Sequence, residues 1–152
     1  MRPEKIISGG QNGVDLTGLK AAKHLGIETG GTAPNGWRVC NLDGSNGTNP
    51  ELATYGLVES GYRSYPVRTV ENIKNSDGTV LFGNVNSSGS KLTTRSADNL
   101  EKPLIVNPTP QELRAWVEEN KIKVLNVAGN RATEDNAWLM KKVWNCLVKA
   151  FG

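Results

Sequence analysis

Apolar and polar residues follow two rhythms along this chain. Short apolar runs read as strands, and between them apolar residues recur at helical spacing. Lys5–Ser8 reads as a strand and Asp15–Leu25 as a helix, with Leu16, Leu19, Ala22 and Leu25 along one side. Gly26 stands where a helix C-terminal glycine belongs. Ile27–Ala33 predicts a second strand, and Pro34-Asn35-Gly36 a turn. Asn41–Gly61 is rich in Asn, Gly and Ser and reads as a long loop, broken by a helical turn at Glu51–Tyr55. Tyr62–Val67 predicts a short strand, and Thr69 a cap for a helix over Val70–Asn75. After the turn Ser76-Asp77-Gly78, Thr79-Val80-Leu81-Phe82 is of buried-strand type. Asn84–Ser90 is a second polar loop, opening a helix over Lys91–Asn99, and Pro103–Val106 predicts another buried strand. Thr109-Pro110-Gln111-Glu112 has the spacing of a capping box with Pro at the first helical position. Leu113, Trp116 and Val117 of the helix that follows face the core. Lys123–Ala128 predicts the last strand and Gly129–Thr133 a third loop. The final helix, Glu134–Phe151, carries Ala137, Met140, Trp144, Leu147 and Phe151 on one stripe, suited to a core or a subunit contact.

Alternating strands and helices predict an α/β fold: a Rossmann-like three-layer sandwich, a mostly parallel sheet with helices on both faces, as a single domain over residues 1–152. Ligands of such sheets bind beyond the carboxyl ends of the strands. The loops after Ser8, Phe82 and Ala128 all leave strands at those ends, so they are expected to gather on one edge.

Composition narrows the chemistry. The net charge of +3 is small and scattered, which suits an anionic small molecule and gives no ground for nucleic acid. Cys40 and Cys146 are the only cysteines and His24 the only histidine, which speaks against a zinc site or a disulfide scaffold. No apolar run has the length of a signal peptide or a membrane span, so a cytoplasmic protein is expected.

The loop after the first strand holds three glycines within five positions, Gly9, Gly10 and Gly13 around Gln11 and Asn12. Glycine lets a ligand approach the backbone. The helix start behind it offers open N–H groups and partial positive charge, which suit phosphate. A tight turn with no ligand explains the glycines equally well. Asp15 suits the helix dipole as a capping residue, with a ligand contact as the alternative. Arg38 and Arg131 read as ligand contacts or as solvated side chains. Arg68 can pair with Glu71 on the surface, Trp37 covers core or site, and His24 is a surface residue at a helix end. Cys40 reads as a small loop residue, with a lowered pKa or a metal contact as the sharper alternative.

These stretches together resemble the molybdenum carrier family, which includes molybdenum cofactor carrier proteins and lies among the Rossmann-like relatives of phosphoribohydrolases and nucleotide sensors. The resemblance rests on Ile7-Ser8-Gly9-Gly10-Gln11 with Gly13-Val14-Asp15, on Gly30-Gly31 with Pro34, Gly36 and Arg38, and on Arg68-Thr69 with Asn72 and Ser76-Asp77-Gly78-Thr79. It also rests on Val124–Gly129 with Arg131. It implies binding of the molybdenum cofactor (molybdopterin) or molybdate, a molybdoenzyme as recipient and a homo-oligomer, a tetramer or dimer, while charge and the lack of apolar spans give no membrane or nucleic-acid partner. Mapped here, the expected binding residues are Gly9, Gly10, Gln11, Asn12, Gly13, Asp15, Arg38, Ser87, Ser88, Gly89, Ser90, Lys91, Gly129, Asn130 and Arg131. No catalytic residue or protein-held metal is expected. Asn12, Asn126 and Asn130 can supply directed hydrogen bonds to a pterin. The second loop departs from the Gly-Gly-Thr-like turn of the family, reading Ser87-Ser88-Gly89-Ser90-Lys91. Phosphoribohydrolase relatives carry Pro-Gly-Gly-x-Gly-Thr and a following Glu. Here no carboxylate follows until Asp98, which speaks against hydrolysis. A nucleotide-derivative sensor or a phosphoribohydrolase-like enzyme are the competing readings.

Overall fold

The computed structural model describes residues 2–152. Strand β1 (Lys5–Ile7) leads through helix α1 (Val14–Leu25) to β2 (Glu28–Ala33). A hairpin of β3 (Arg38–Cys40) and β4 (Asn46–Thr48) follows, then a 3-10 helix (Pro50–Tyr55) and β5 (Leu57–Glu59). Helix α2 (Tyr65–Lys74), β6 (Gly78–Phe82), α3 (Ser88–Asn99), β7 (Leu104–Val106), α4 (Pro110–Glu119), β8 (Val124–Gly129) and α5 (Ala137–Phe151) complete the chain.

The main sheet runs β5-β2-β1-β8-β6-β7, and every pair in it is parallel. Right-handed crossovers place α1 and α4 on one face and α2 and α3 on the other. The packing agrees: α5 lies against α1 and α4, and α2 against α3. This is the Rossmann-like sandwich that the alternation predicted.

The two faces differ in chemistry because strand residues alternate sides. Leu125 and Val127 of β8, with Val80 and Phe82 of β6, enter the main core with Leu113, Val143 and Leu147. Their alternates Asn126 and Thr79 are also buried and point the other way, with Asn126 donating to the Thr79 hydroxyl at 3.2 Å. Buried Thr32, Asn72, Ser90, Thr93 and Ser96 join them. The Asn72 side chain accepts from the Thr32 amide at 2.8 Å and donates to the Thr32 carbonyl at 2.9 Å and the Arg68 carbonyl at 2.8 Å. The α2/α3 side is thus a polar layer. A second apolar cluster, Leu19, Ala33, Val39, Leu52 and Leu57, seats the hairpin and the 3-10 helix, with Trp37 packed against it.

Several expected elements are corrected. No strand forms over Tyr62–Val67. Its second half, Tyr65–Val67, is the start of α2, with Pro66 in its first turn, where the missing N–H costs nothing. Thr69 is therefore inside the helix rather than its cap, and its hydroxyl bonds back to the Tyr65 carbonyl. The expected long loop, Asn41–Gly61, contains β4, the second strand of the hairpin, and β5, a three-residue strand that takes its hydrogen bonds from β2. Helix α3 begins at Ser88 rather than Lys91, and α5 at Ala137 rather than Glu134. The buried face of α5 is Leu139, Val143, Cys146, Leu147, Ala150 and Phe151. Ala137 is exposed, and Met140 and Trp144 only flank the core. The Thr109–Glu112 capping box forms as predicted. His24 is exposed, its ring 5.1 Å from that of Trp144. Among the described residues no helix is long and apolar enough to cross a membrane.

Candidate functional site

The three polar loops meet at the carboxyl edge of β1, β8 and β6, and their own side chains tie them together. Asn130 accepts from the Asn84 amide at 2.6 Å and donates to the Asn84 carbonyl and the Ser87 hydroxyl. This joins the third loop to the second. The Ala132 amide donates to the Asn12 carbonyl and the Val14 amide to the Asn130 carbonyl, joining the third loop to the first. Gly129 lets the end of β8 lie close against β6, since a Cβ there would lie 2.4 Å from the Phe82 carbonyl.

The first glycine loop spends most of its donors internally. The Gly10 amide donates to the Ser8 hydroxyl, the Gln11 amide to the Asp15 carboxylate, and the Asn12 amide to the Gln11 side chain. Gln11 and Asn12 also clamp the hairpin: the Gln11 Oε1 accepts from the Cys40 amide at 2.7 Å, and the Asn12 Nδ2 donates to the Cys40 carbonyl at 3.0 Å. Gly10 and Gly13, both at positive φ, shape the turn.

Helix α3 is different. Ser87 caps it, accepting from the Ser90 amide. The amides of Ser88 and Gly89, first in the helix, have no carbonyl a turn earlier to bond. Lys91 is exposed beside them.

Between this helix start and α2 lies a cleft of about 60 Å³. Gly9, Gln11, Asp15, Gly89, Ser90 and Gly129 of the expected set line it, together with Arg68, Thr69, Asn72, Thr93 and Asn126. The remaining expected residues lie outside its lining. Ser87 and Asn130 brace the loops. Gly10, Asn12 and Gly13 shape the first turn, and Ser88 and Lys91 flank the cleft on α3. Arg38 stacks over the Tyr65 ring at 4.9 Å and donates to the Arg63 carbonyl. Arg131 is exposed near the hairpin tip, its Nη2 4.0 Å from where a Gly44 Cβ would stand.

Arg68 is the residue that sequence reasoning misplaced. It does not pair with Glu71 on the surface. It reaches across the cleft to Asp15, Nη1 to Oδ2 at 3.2 Å, with side chains only 12% and 5% exposed. Burial pushes the Asp15 carboxyl above the ordinary carboxylate range, while the Arg68 guanidinium and the amides of Gln11 and Gly129 pull it back. The spacing of Arg68 and Asn72, one helix turn apart on an amphipathic helix, is the signal that would have placed both on the site. Among the described residues no group of three His, Cys, Asp or Glu stands ready to hold a metal ion.

Comparison with known proteins adds family context. The profile of the circularly permutated YpsA SLOG family matches residues 6–151. The crystal structure of a "Putative molybdenum carrier protein" from Syntrophus aciditrophicus SB is similar at 32% identity and a TM-score of 0.83, covering 98% of this chain and 94% of that one. A Plasmodium falciparum E-1-hydroxy-2-methyl-but-2-enyl-4-diphosphate reductase aligns at 15% identity and a TM-score of 0.41, covering 98% of this chain and 54% of that one, too distant to carry an argument. No curated protein sequence matches the chain.

Proposed function

This chain belongs to the circularly permutated YpsA SLOG family, and on that premise we propose that it is a carrier that binds the molybdenum cofactor, or molybdate, as cargo. The observation that carries the reading is the cleft at the carboxyl edge of the sheet. On one side stand the open amides of Ser88 and Gly89 with Lys91, and on the other the Arg68 guanidinium. Helix N-termini and arginines are what phosphate and oxo-metal groups bind. At about 60 Å³ the cleft is far smaller than the few hundred Å³ that enclose a whole cofactor. Only the anionic end of such a ligand enters it, and the pterin lies over its mouth. The similar Syntrophus protein named for molybdenum carriage supports the cargo. A homo-oligomer and a molybdoenzyme recipient belong to the same reading.

Asp15 favours a second reading, a phosphoribohydrolase-like enzyme or nucleotide-derivative sensor, because it is a buried carboxyl in the cleft with a raised pKa. Among the described residues it is the only carboxylate in the lining, which holds no histidine or cysteine. Its contact with Arg68 makes it a fixed acceptor rather than a free base, so binding without turnover is the better reading. Calorimetric titration of purified molybdenum cofactor against AMP, ADP-ribose and cyclic nucleotides separates the two. Saturable binding of the cofactor in preference to the nucleotides is expected. Preferred nucleotide binding, with release of ribose phosphate or base, would replace the carrier with the enzyme.

A further inference from the structure

Two buried side-chain polar atoms of the described residues lack any hydrogen-bond partner, the Arg68 Nε and the Tyr65 hydroxyl. They stand three residues apart on α2, and the guanidinium lies 5.5 Å from the centre of the Tyr65 ring. Arg38 brings a second guanidinium to the same ring. Buried donors in folded proteins are almost always paired, so an orphan asks for an acceptor. Two neighbouring orphans, beside two cations, ask for one that carries several lone pairs and negative charge. Asp15 does not meet the demand. It takes one bond from Arg68, at Nη1, and leaves Nε open.

We propose that Arg68, which lines the cleft, is the side chain that takes the oxyanion of the ligand, that Tyr65, packed against Arg68 though outside the lining, donates its hydroxyl to the same group, and that Asp15 is a counter-ion which competes with that ligand for Arg68. The ligand class is one with a tetrahedral oxyanion terminus, of phosphate, sulfate or molybdate type. The inference rests on the cleft being an anion site, as above, and adds which residue reads the charge and which opposes it. Gly9 makes the arrangement possible. A Cβ there would lie 2.1 Å from the Arg68 Nη1 and 2.7 Å from its Cζ, so the guanidinium sits directly against the glycine. Gly9 is not among the residues at positive φ, so alanine suits its backbone and displaces only the flexible end of Arg68.

Sulfate is the probe, since its charge is constant near neutral pH. It is titrated into the full chain and into Arg68→Gln, Tyr65→Phe, Gly9→Ala and Asp15→Asn, with folding checked by circular dichroism. Arg68→Gln is expected to weaken binding about tenfold or more, and Tyr65→Phe about threefold to tenfold. Gly9→Ala weakens it through the displaced guanidinium. Asp15→Asn tightens it, a sign that a merely structural Asp15 would not give. Affinities of Arg68→Gln and Gly9→Ala equal to wild type overturn the proposal. If Arg68→Gln does not fold, Gly9→Ala and Asp15→Asn decide, and weaker or unchanged binding by Asp15→Asn overturns it. A wild type that binds the molybdenum cofactor with all four variants unaltered sinks this inference and leaves the carrier reading standing. A wild type that takes neither sulfate nor cofactor sinks both.

Discussion

Gly31 in β2 shows how tightly single residues constrain the edge that builds the site. Its φ is +130, and a Cβ would lie 2.1 Å from the carbonyl oxygen of Ser8, the residue just past β1. Side chains avoid that backbone conformation, and the neighbour is main chain that cannot swing aside. Gly31→Ala is expected to lower unfolding stability by about 2–5 kcal/mol in urea titration. Gly26→Ala, with open space around its Cβ, bears only the conformational cost of its positive φ and loses less. The cysteines divide in a similar way. Cys146 is buried on α5, and burial pushes its thiol up to about 11. Cys40 is half-exposed on the hairpin. A thiol reagent at neutral pH should label Cys40 in the native protein and reach Cys146 only on unfolding, as mass spectrometry of timed samples would show.

At the scale of elements, α4 depends on its cap. Thr109 accepts from the Glu112 amide at 3.1 Å and the Glu112 carboxylate accepts from the Thr109 amide at 2.9 Å. Thr109→Ala should cost about 1 kcal/mol of stability. The Thr109 bonds hold the Glu112 pKa below its ordinary value. A carboxylate with a lowered folded-state pKa adds stability above its unfolded value, and that gain fades as pH falls through the folded value. The stability gap between wild type and Glu112→Gln should therefore be present at neutral pH and close in acid. This helix was legible because its signal is local: a cap, a proline and a carboxylate within four residues. Strand β5 was not, because three residues are too few for a period and its partner β2 supplies the reason it is extended. Tyr65 and Val67 have strand character, but the segment is a helix start with Pro66 in its first turn, packed on α3 and β2.

Across the whole molecule, the sheet separates an apolar face from a polar one, and the cleft opens where the polar layer meets the carboxyl edge. The apolar run over Lys123–Ala128 was legible as a strand, but not the polar layer that its alternate Asn126 builds with Thr79. The gathering of three loops on one edge followed from parallel connections alone. What no pattern in the chain revealed is the pairing of Arg68 with Asp15, 53 residues apart, or that Gln11 and Asn12 are turned to the hairpin. Such contacts depend on tertiary placement, and neither helical nor strand periodicity records them. The central claim is that an anionic ligand lodges between the start of α3 and Arg68. Amide NMR of the labelled chain during titration with the molybdenum cofactor tests it most directly. Saturable shifts concentrated at Gly9, Ser88, Gly89, Ser90 and Gly129, with the α4 and α5 amides still, are the predicted result. Shifts confined to other surfaces, or none at saturating cofactor, would contradict it.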